Sequence, residues 1–251
     1  MLSLPEHVRA CLFDLDGVLT PTAVVHKAAW EETFNTFLRT HAKESGEPFV
    51  PFDAEDDYYR YVDGMARADG VRTFLQSREI TLPEGFPDDP GSADTVHGLG
   101  NRKNAVLVER LREQGVEPYP GSLAYLRETV EAGLKRAVVS ASANCQEVVA
   151  AAGLEDLLEV RVDGVVARQE KLRGKPHPDT FLLAAQRLGV EPEKAAVFED
   201  AIAGVEAGRA GKFGYVVGVD RVGQADALRA AGADVVVSDL AELLDGASDD
   251  S

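Results

Sequence analysis

After residue 115 the chain alternates short β-branched runs with helical stretches, and that alternation leaves few architectures open. "KRAVVS" (135–140), "KAAVFED" (194–200), "FGYVVGV" (213–219) and "ADVVVS" (233–238) are apolar runs ending in polar or glycine residues. Between them, "DTFLLAAQRLG" (179–189) and "DALRAAGA" (226–233) have helical periodicity, the latter with glycine stops. Strands that are apolar on both sides and separated by helices predict a parallel sheet covered on both faces, a doubly wound α/β core. "RACLFD" (9–14) supplies the first strand of that sheet.

Residues 21–115 break the rhythm. In "AVVHKAAWEETFNTFLRTHAKE" the apolar positions Val24/Val25, Ala28/Ala29 and Phe34/Phe37/Leu38 recur on one side of a helix, with Trp30 read as packing. "DGVRTFLQSREI" predicts another short helix. The turn-rich stretch 82–100 then separates it from "NRKNAVLVERLREQG". The expected organisation is a core of residues 1–20 and 116–251, with an all-helical cap, 21–115, inserted after the first strand. At 251 residues the chain can bury both.

The formal charge is −17. Such a balance argues against nucleic acid or an anionic membrane as partner, and an anionic substrate would need cations gathered locally. Two cysteines, Cys11 and Cys145, form no disulfide framework or metal-binding spacing. No apolar run approaches the roughly 20 residues of a membrane span. "MLSLPEHVRA" lacks the charged start and apolar stretch of a signal peptide, so a cytoplasmic protein is expected; a monomer is the default expectation, though no residue pattern sets the oligomeric state. The tail "DGASDDS" is expected to be acidic coil.

Residues two apart on a strand point to the same side, so Asp14 and Asp16 share one space while Leu15 turns away. Gly17 permits a tight exit. Open parallel sheets bind ligands beyond the carboxyl ends of their strands, where this pair falls. A second acidic pair, Glu199–Asp200, ends another strand. Carboxylates so placed repel unless a cation intervenes, and the set suits Mg²⁺. Either pair alone reads as readily as a polar loop or a helix N-cap. Ser140 ends "AVVS", where its hydroxyl and the following amides could hold phosphate oxygens. Lys175, in "GKPHPD", could neutralise charge between phosphate and acids; alone it reads as a surface lysine.

Taken in order, "DLDGVLT", "VVSAS", "GKPHPD" and "FEDAIAGVEAG" resemble the motifs of the haloacid dehalogenase-like superfamily of phosphatases and phosphomutases, across essentially the whole chain. The resemblance implies a Rossmann-like core with a helical cap. It implies that Asp14 attacks phosphorus to form an aspartyl-phosphate, while Asp16 protonates the leaving oxygen and later deprotonates the incoming nucleophile. Ser140 and Lys175 would hold the transferring phosphoryl. Mg²⁺ would be held by Asp14, the backbone carbonyl of Asp16 and Asp200, with Glu199 alongside. Metal-free dehalogenases of the superfamily do not need Asp16, so its presence favours phosphoryl transfer.

Water as second nucleophile would make the enzyme a phosphatase, whereas a sugar hydroxyl would make it a mutase. Several residues resemble the β-phosphoglucomutase family. Thr22 and His26 match its hinge threonine and helix histidine, Arg67 in "DGMARADGV" its ligand to the non-transferring phosphate, and Lys103 in "NRKN" its contact to the sugar. In "SASAN", Ser142 and Asn144 match its substrate loop. The expected reaction is interconversion of β-glucose 1-phosphate and glucose 6-phosphate, downstream of a disaccharide phosphorylase. The alternatives are a phosphatase of a sugar phosphate or other small phosphometabolite, and a catalytically silent binding protein. Three features depart from the family: Pro21 replaces an acidic residue before the hinge threonine, Ala143 replaces a lysine, and the 82–100 stretch is longer.

Overall fold

Among the described residues, six strands form one fully parallel sheet, with the central strands the most deeply buried. They are β1 (Ala10–Phe13), β2 (Lys135–Val139), β3 (Val160–Val162), β4 (Ala195–Glu199), β5 (Tyr215–Val219) and β6 (Val235–Val237). The computed structural model describes residues 2–244; the acidic tail "DGASDDS" lies outside the described residues. Strand order is β3-β2-β1-β4-β5-β6. The winding reverses between β1 and β4, the two strands buried along their whole length, and that reversal opens a crevice at their carboxyl ends.

The chain divides into two compact units, Met1–Pro21 with Val116–Ser251, and Thr22–Gly115. In the first, α5 (Pro120–Glu131), α6 (Cys145–Ala151), α7 (Gly164–Gln169), α8 (Asp179–Leu188), α9 (Ile202–Ala210) and α10 (Ala225–Ala231) accompany the sheet. Leu12, Val139, Val197 and Val216 pack with Phe181 and Leu188 of α8, Val205 of α9 and Leu228 of α10. Phe13 turns to the opposite side, stacks on Phe198 at 4.5 Å, and meets Tyr125 of α5 edge-on. Each such fully buried aromatic stabilises the core by about 1.5–3 kcal/mol. Gly232, at φ 112°, ends α10 in the left-handed conformation that suits glycine.

Strand β3 escapes sequence reading because it is three residues long, lies at the sheet edge, and carries exposed Arg161 in its middle. An edge strand loses the continuous apolar signature of its buried neighbours.

The second unit contains α1 (Thr22–Ser45), α2 (Asp56–Tyr61), α3 (Arg67–Ser77) and α4 (Val96–Gln114). Phe34 sits at its centre, 4.9 Å from Trp30, 5.1 Å from Phe52 and 4.1 Å from Phe74, so Trp30 is core. Helix α4 begins within the stretch expected to be turns, because Thr95 caps it by accepting the Gly98 amide at 2.9 Å. Gly98 and Gly100 lie inside the helix, where close approach to Ala93 and Arg67 explains them better than turn formation does. The preceding loop is pinned by Asn101, which donates to the Pro87 and Asp89 carbonyls, and by Arg102, which donates to the Gly91 carbonyl at 2.6 Å. Among the described residues no helix is long and apolar enough to cross a membrane.

Candidate active site

The β1 backbone places the first carboxylate. The Asp14 amide donates to the Phe198 carbonyl at 2.9 Å, so Asp14 continues the β1–β4 pairing and its side chain leaves from the sheet end. Asp14 is 6% exposed, Lys175 3% and Glu199 0%. The Lys175 ammonium donates to Asp14 Oδ1 and Glu199 Oε1, and more weakly to the Val139 carbonyl at 3.4 Å. It lies 5.1 Å from the Phe181 ring centre. Burial disfavours the charged lysine, but Asp14 and Glu199 more than compensate and hold it protonated well above the ordinary range. Burial raises the Asp14 carboxyl, opposed by Lys175 and reinforced by Glu199 and Asp16.

The turn after Asp14 is compact. Thr20 and Leu19 amides both donate to the Leu15 carbonyl, and the Gly17 amide donates to the Thr20 carbonyl at 2.7 Å. Across from it, Ser140 Oγ donates to Asp16 Oδ2 at 3.3 Å and accepts the Ser142 amide at 3.0 Å. Ser142 Oγ in turn accepts the Asn144 amide at 3.2 Å. The core therefore brings together Asp14, Asp16, Ser140, Lys175 and Glu199. Ser142 and Asn144 follow in the Ser140 loop, beside Gly164, whose amide donates to the Ser142 carbonyl.

Gly17 has φ 93°, and a Cβ there would fall inside the Asp200 carboxylate. Asp200 thus lies directly against the Asp14–Asp16 turn. Gly17→Ala is expected to lower stability by about 1–3 kcal/mol from backbone strain alone, checked by urea unfolding. Unchanged stability would mean that Gly17 does not hold its left-handed conformation against Asp200. Gly204, in the first turn of α9, makes the same concession to Glu199.

The donor chemistry fits a hard divalent cation. One lysine offsets Asp14 and Glu199, while Asp16 acts on Asp14 and Asp200 adjoins its turn, so negative charge predominates. Among the described residues no three His, Cys, Asp or Glu side chains cluster as a closed metal cage. Mg²⁺ needs none, since it binds through one or two carboxylates and keeps several waters. Glu199, expected alongside the metal, has Oε1 accepting from Lys175 and Oε2 accepting the Ala201 amide at 2.8 Å. Both oxygens are engaged, which gives Glu199 the task of holding Lys175 and the start of α9.

The cap brings a second set together. Lys103, 3% exposed, lies 3.0 Å from His26 Nδ1 and 4.9 Å from the Trp30 ring centre. Arg67 begins α3, and its aliphatic stem passes Gly100, one turn before Lys103 on α4. Thr22 is the first residue of α1. Arg102 is committed to the Gly91 carbonyl and Asp94, which distinguishes it from buried Lys103. Sequence reading missed Gln224 and Arg221, which hold the carbonyls of Asp200 and Gly17. Contacts to backbone carbonyls leave no residue-type pattern by which to find them.

A family model described as haloacid dehalogenase-like hydrolase matches residues 8–212. The chain is 58% identical to a β-phosphoglucomutase of Mycobacterium tuberculosis, over 97% of this chain and 94% of that one. It is 30% identical to a fructose-1-phosphate phosphatase of Escherichia coli, over 82% and 93%. A solved structure of β-phosphoglucomutase from Clostridium difficile superposes with a TM-score of 0.73 at 25% identity, covering 94% of this chain and 93% of that one.

Proposed function

The chain belongs to the haloacid dehalogenase-like hydrolases, and from that membership we propose a Mg²⁺-dependent β-phosphoglucomutase that interconverts β-glucose 1-phosphate and glucose 6-phosphate. The observation that carries the chemistry is Lys175, buried between Asp14 and Glu199 at the carboxyl ends of β1 and β4.

In this reading an Asp14 oxygen attacks phosphorus as the ester P–O bond breaks, giving an aspartyl-phosphate. Asp16 gives its proton to the departing sugar oxygen. It then takes the proton of the incoming hydroxyl, whose oxygen attacks phosphorus and frees the Asp14 carboxylate. A bisphosphorylated sugar is thus formed and consumed in alternate half-reactions. Lys175, Ser140 Oγ and the amides after Ser140 receive the phosphoryl oxygens as charge gathers on them. Asp14, Asp200 and the backbone carbonyl of Asp16 would hold Mg²⁺. When bound, the ion offsets charge on the transferring group. Glu199 acts through Lys175.

Arg67 and Lys103 supply the cations that a second phosphate and a sugar require, which the overall charge of −17 does not provide. Thr22, His26, Ser142 and Asn144 complete the proposed substrate contacts. Removing a charge-assisted contact in Arg67→Ala is expected to lower kcat/KM for β-glucose 1-phosphate by about tenfold to a hundredfold. Hydrolysis of a small aryl phosphate should change much less. Equal losses on both substrates would remove Arg67 from the second-phosphate role.

The deciding assay supplies β-glucose 1-phosphate, Mg²⁺ and a trace of glucose 1,6-bisphosphate, and follows glucose 6-phosphate and inorganic phosphate separately. A mutase yields glucose 6-phosphate with almost no phosphate release. Stoichiometric phosphate without glucose 6-phosphate would favour the second reading, a sugar-phosphate phosphatase. That reading draws on the 30% identity to the E. coli phosphatase and on Ala143, which leaves the Ser140 loop one cation short.

A further inference from the structure

The loop between β5 and α10 lies outside every motif above, yet it reaches two backbone carbonyls of the site. Gln224 Nε2 donates to the Asp200 carbonyl at 2.9 Å. Arg221 Nε donates to the Gly17 carbonyl at 3.1 Å. These carbonyls belong to the two segments that touch at Gly17, the Asp14–Asp16 turn and Asp200. We propose that Gln224 and Arg221 are positioning residues that set the geometry of the metal-binding edge of the site, an inference that rests on the phosphoryl-transfer reading.

The peptide unit between Asp200 and Ala201 is gripped at both ends. Its carbonyl accepts from Gln224, and its N–H donates to Glu199 Oε2 at 2.8 Å. The other Glu199 oxygen holds Lys175, which holds Asp14. One continuous chain of hydrogen bonds therefore runs from Gln224 through the Asp200 peptide, Glu199 and Lys175 to Asp14. A peptide plane held at both ends cannot rotate, so the Asp200 Cα–Cβ direction is fixed before any ligand arrives. Pre-orientation of this kind is how groups behind a metal's own ligands tune its affinity.

The loop is built to stay rigid. Asp220 Oδ1 accepts the amides of Val222, Gly223 and Gln224 at 3.1, 2.7 and 2.8 Å, and Oδ2 accepts the Ala225 amide at 3.1 Å. Burial opposes the Asp220 charge, but these four amides prevail and draw its carboxyl below the ordinary value. Gly223, at φ 83°, lets the chain close around that carboxylate. Arg221 is held through Nε, Nη1 and its face: its guanidinium lies 3.8 Å from the Tyr119 ring centre, Nη1 donates to the Ser238 carbonyl and to Asp239, and Nη2 is buried with no hydrogen-bond partner among the described residues. Its bond to Gly17 is thus made by a group anchored at Nη1 and against Tyr119.

The test titrates metal-free full-length protein with Mg²⁺ by calorimetry, and measures Tm in chelator. Gln224→Leu keeps the side-chain volume and removes the donor. Its Mg²⁺ dissociation constant is expected to rise about tenfold. Its Tm in chelator should stay close to wild type, and kcat should recover at saturating Mg²⁺. Wild-type Mg²⁺ affinity together with a lowered Tm would assign Gln224 a merely structural part and overturn the proposal. Arg221→Lys keeps a cation on Tyr119 but loses the planar fork. If Gln224→Leu fails to fold, weakened Mg²⁺ binding by Arg221→Lys upholds the proposal, and unchanged binding overturns it. Wild-type protein that binds no Mg²⁺ would bring down the metal-dependent reading itself, a result distinct from equal binding by wild type and variant.

Discussion

Asp14→Asn is expected to abolish phosphoryl transfer, with turnover falling by about 10⁴-fold or more, as when a covalent nucleophile is removed elsewhere. The amide is nearly isosteric with the carboxylate but cannot form the acyl phosphate. The fold has reason to survive, because Lys175 keeps its bond to Glu199 and the Asp14 backbone bond to Phe198 does not involve the side chain. Turnover of β-glucose 1-phosphate and phosphate release should vanish together, while near-wild-type thermal unfolding shows that chemistry rather than folding was lost. Residual turnover above roughly one-hundredth of wild type would assign the nucleophile elsewhere.

Lys175→Met attacks both stability and catalysis. The lysine is the cation shared by two buried carboxylates, and deleting one member of such a group costs about 3–5 kcal/mol because unpaired charge stays behind. Loss of its contact to the transferring phosphoryl should lower kcat by about 10²–10³-fold as well. The sign of the pH effect follows from the carboxylates. Burial already raises Asp14, and Lys175 is the cation that opposes it. Without Lys175 the folded-state value rises further above the unfolded one. Protonation then stabilises the folded variant, so its deficit should be smaller near about pH 5 than near about pH 8. Urea unfolding of both proteins at the two pH values measures this. A deficit that is constant with pH would show that Asp14 and Glu199 are not the charges left exposed. Adding Glu199→Gln to Lys175→Met should restore part of the lost stability, since it removes one of them.

What could be read from sequence follows from where the physics is local. β1 and β4 were legible because an apolar run buried on both sides has no other explanation, and Asp14, Asp16, Glu199 and Asp200 were legible because they stand at or just after the ends of those runs. Lys175 was legible only through its company, since nothing in "GKPHPD" distinguishes a buried lysine from a solvated one. β3 was not, because an edge strand with Arg161 outward looks like loop. The start of α4 was hidden by glycines that serve close packing rather than turning. The contact from Glu199 to Lys175 is not legible in sequence, because the two stand 24 residues apart and only the fold brings them together. Gln224 and Arg221 act on carbonyls roughly a whole β–α unit or more away in sequence, and only the folded chain reveals such partners.

The central claim is that the network of Lys175, Glu199 and Asp16 exists to let Asp14 carry a phosphoryl group. It is tested most directly by exposing the protein to glucose 1,6-bisphosphate with labelled phosphate, quenching within a turnover, trapping acyl phosphates with borohydride and sequencing the modified peptide. Label is expected to transfer to the protein, with reduction confined to Asp14, and to be chased into glucose phosphates when unlabelled β-glucose 1-phosphate is added. Full turnover with no modified aspartate, or with the modification on any residue other than Asp14, would contradict it.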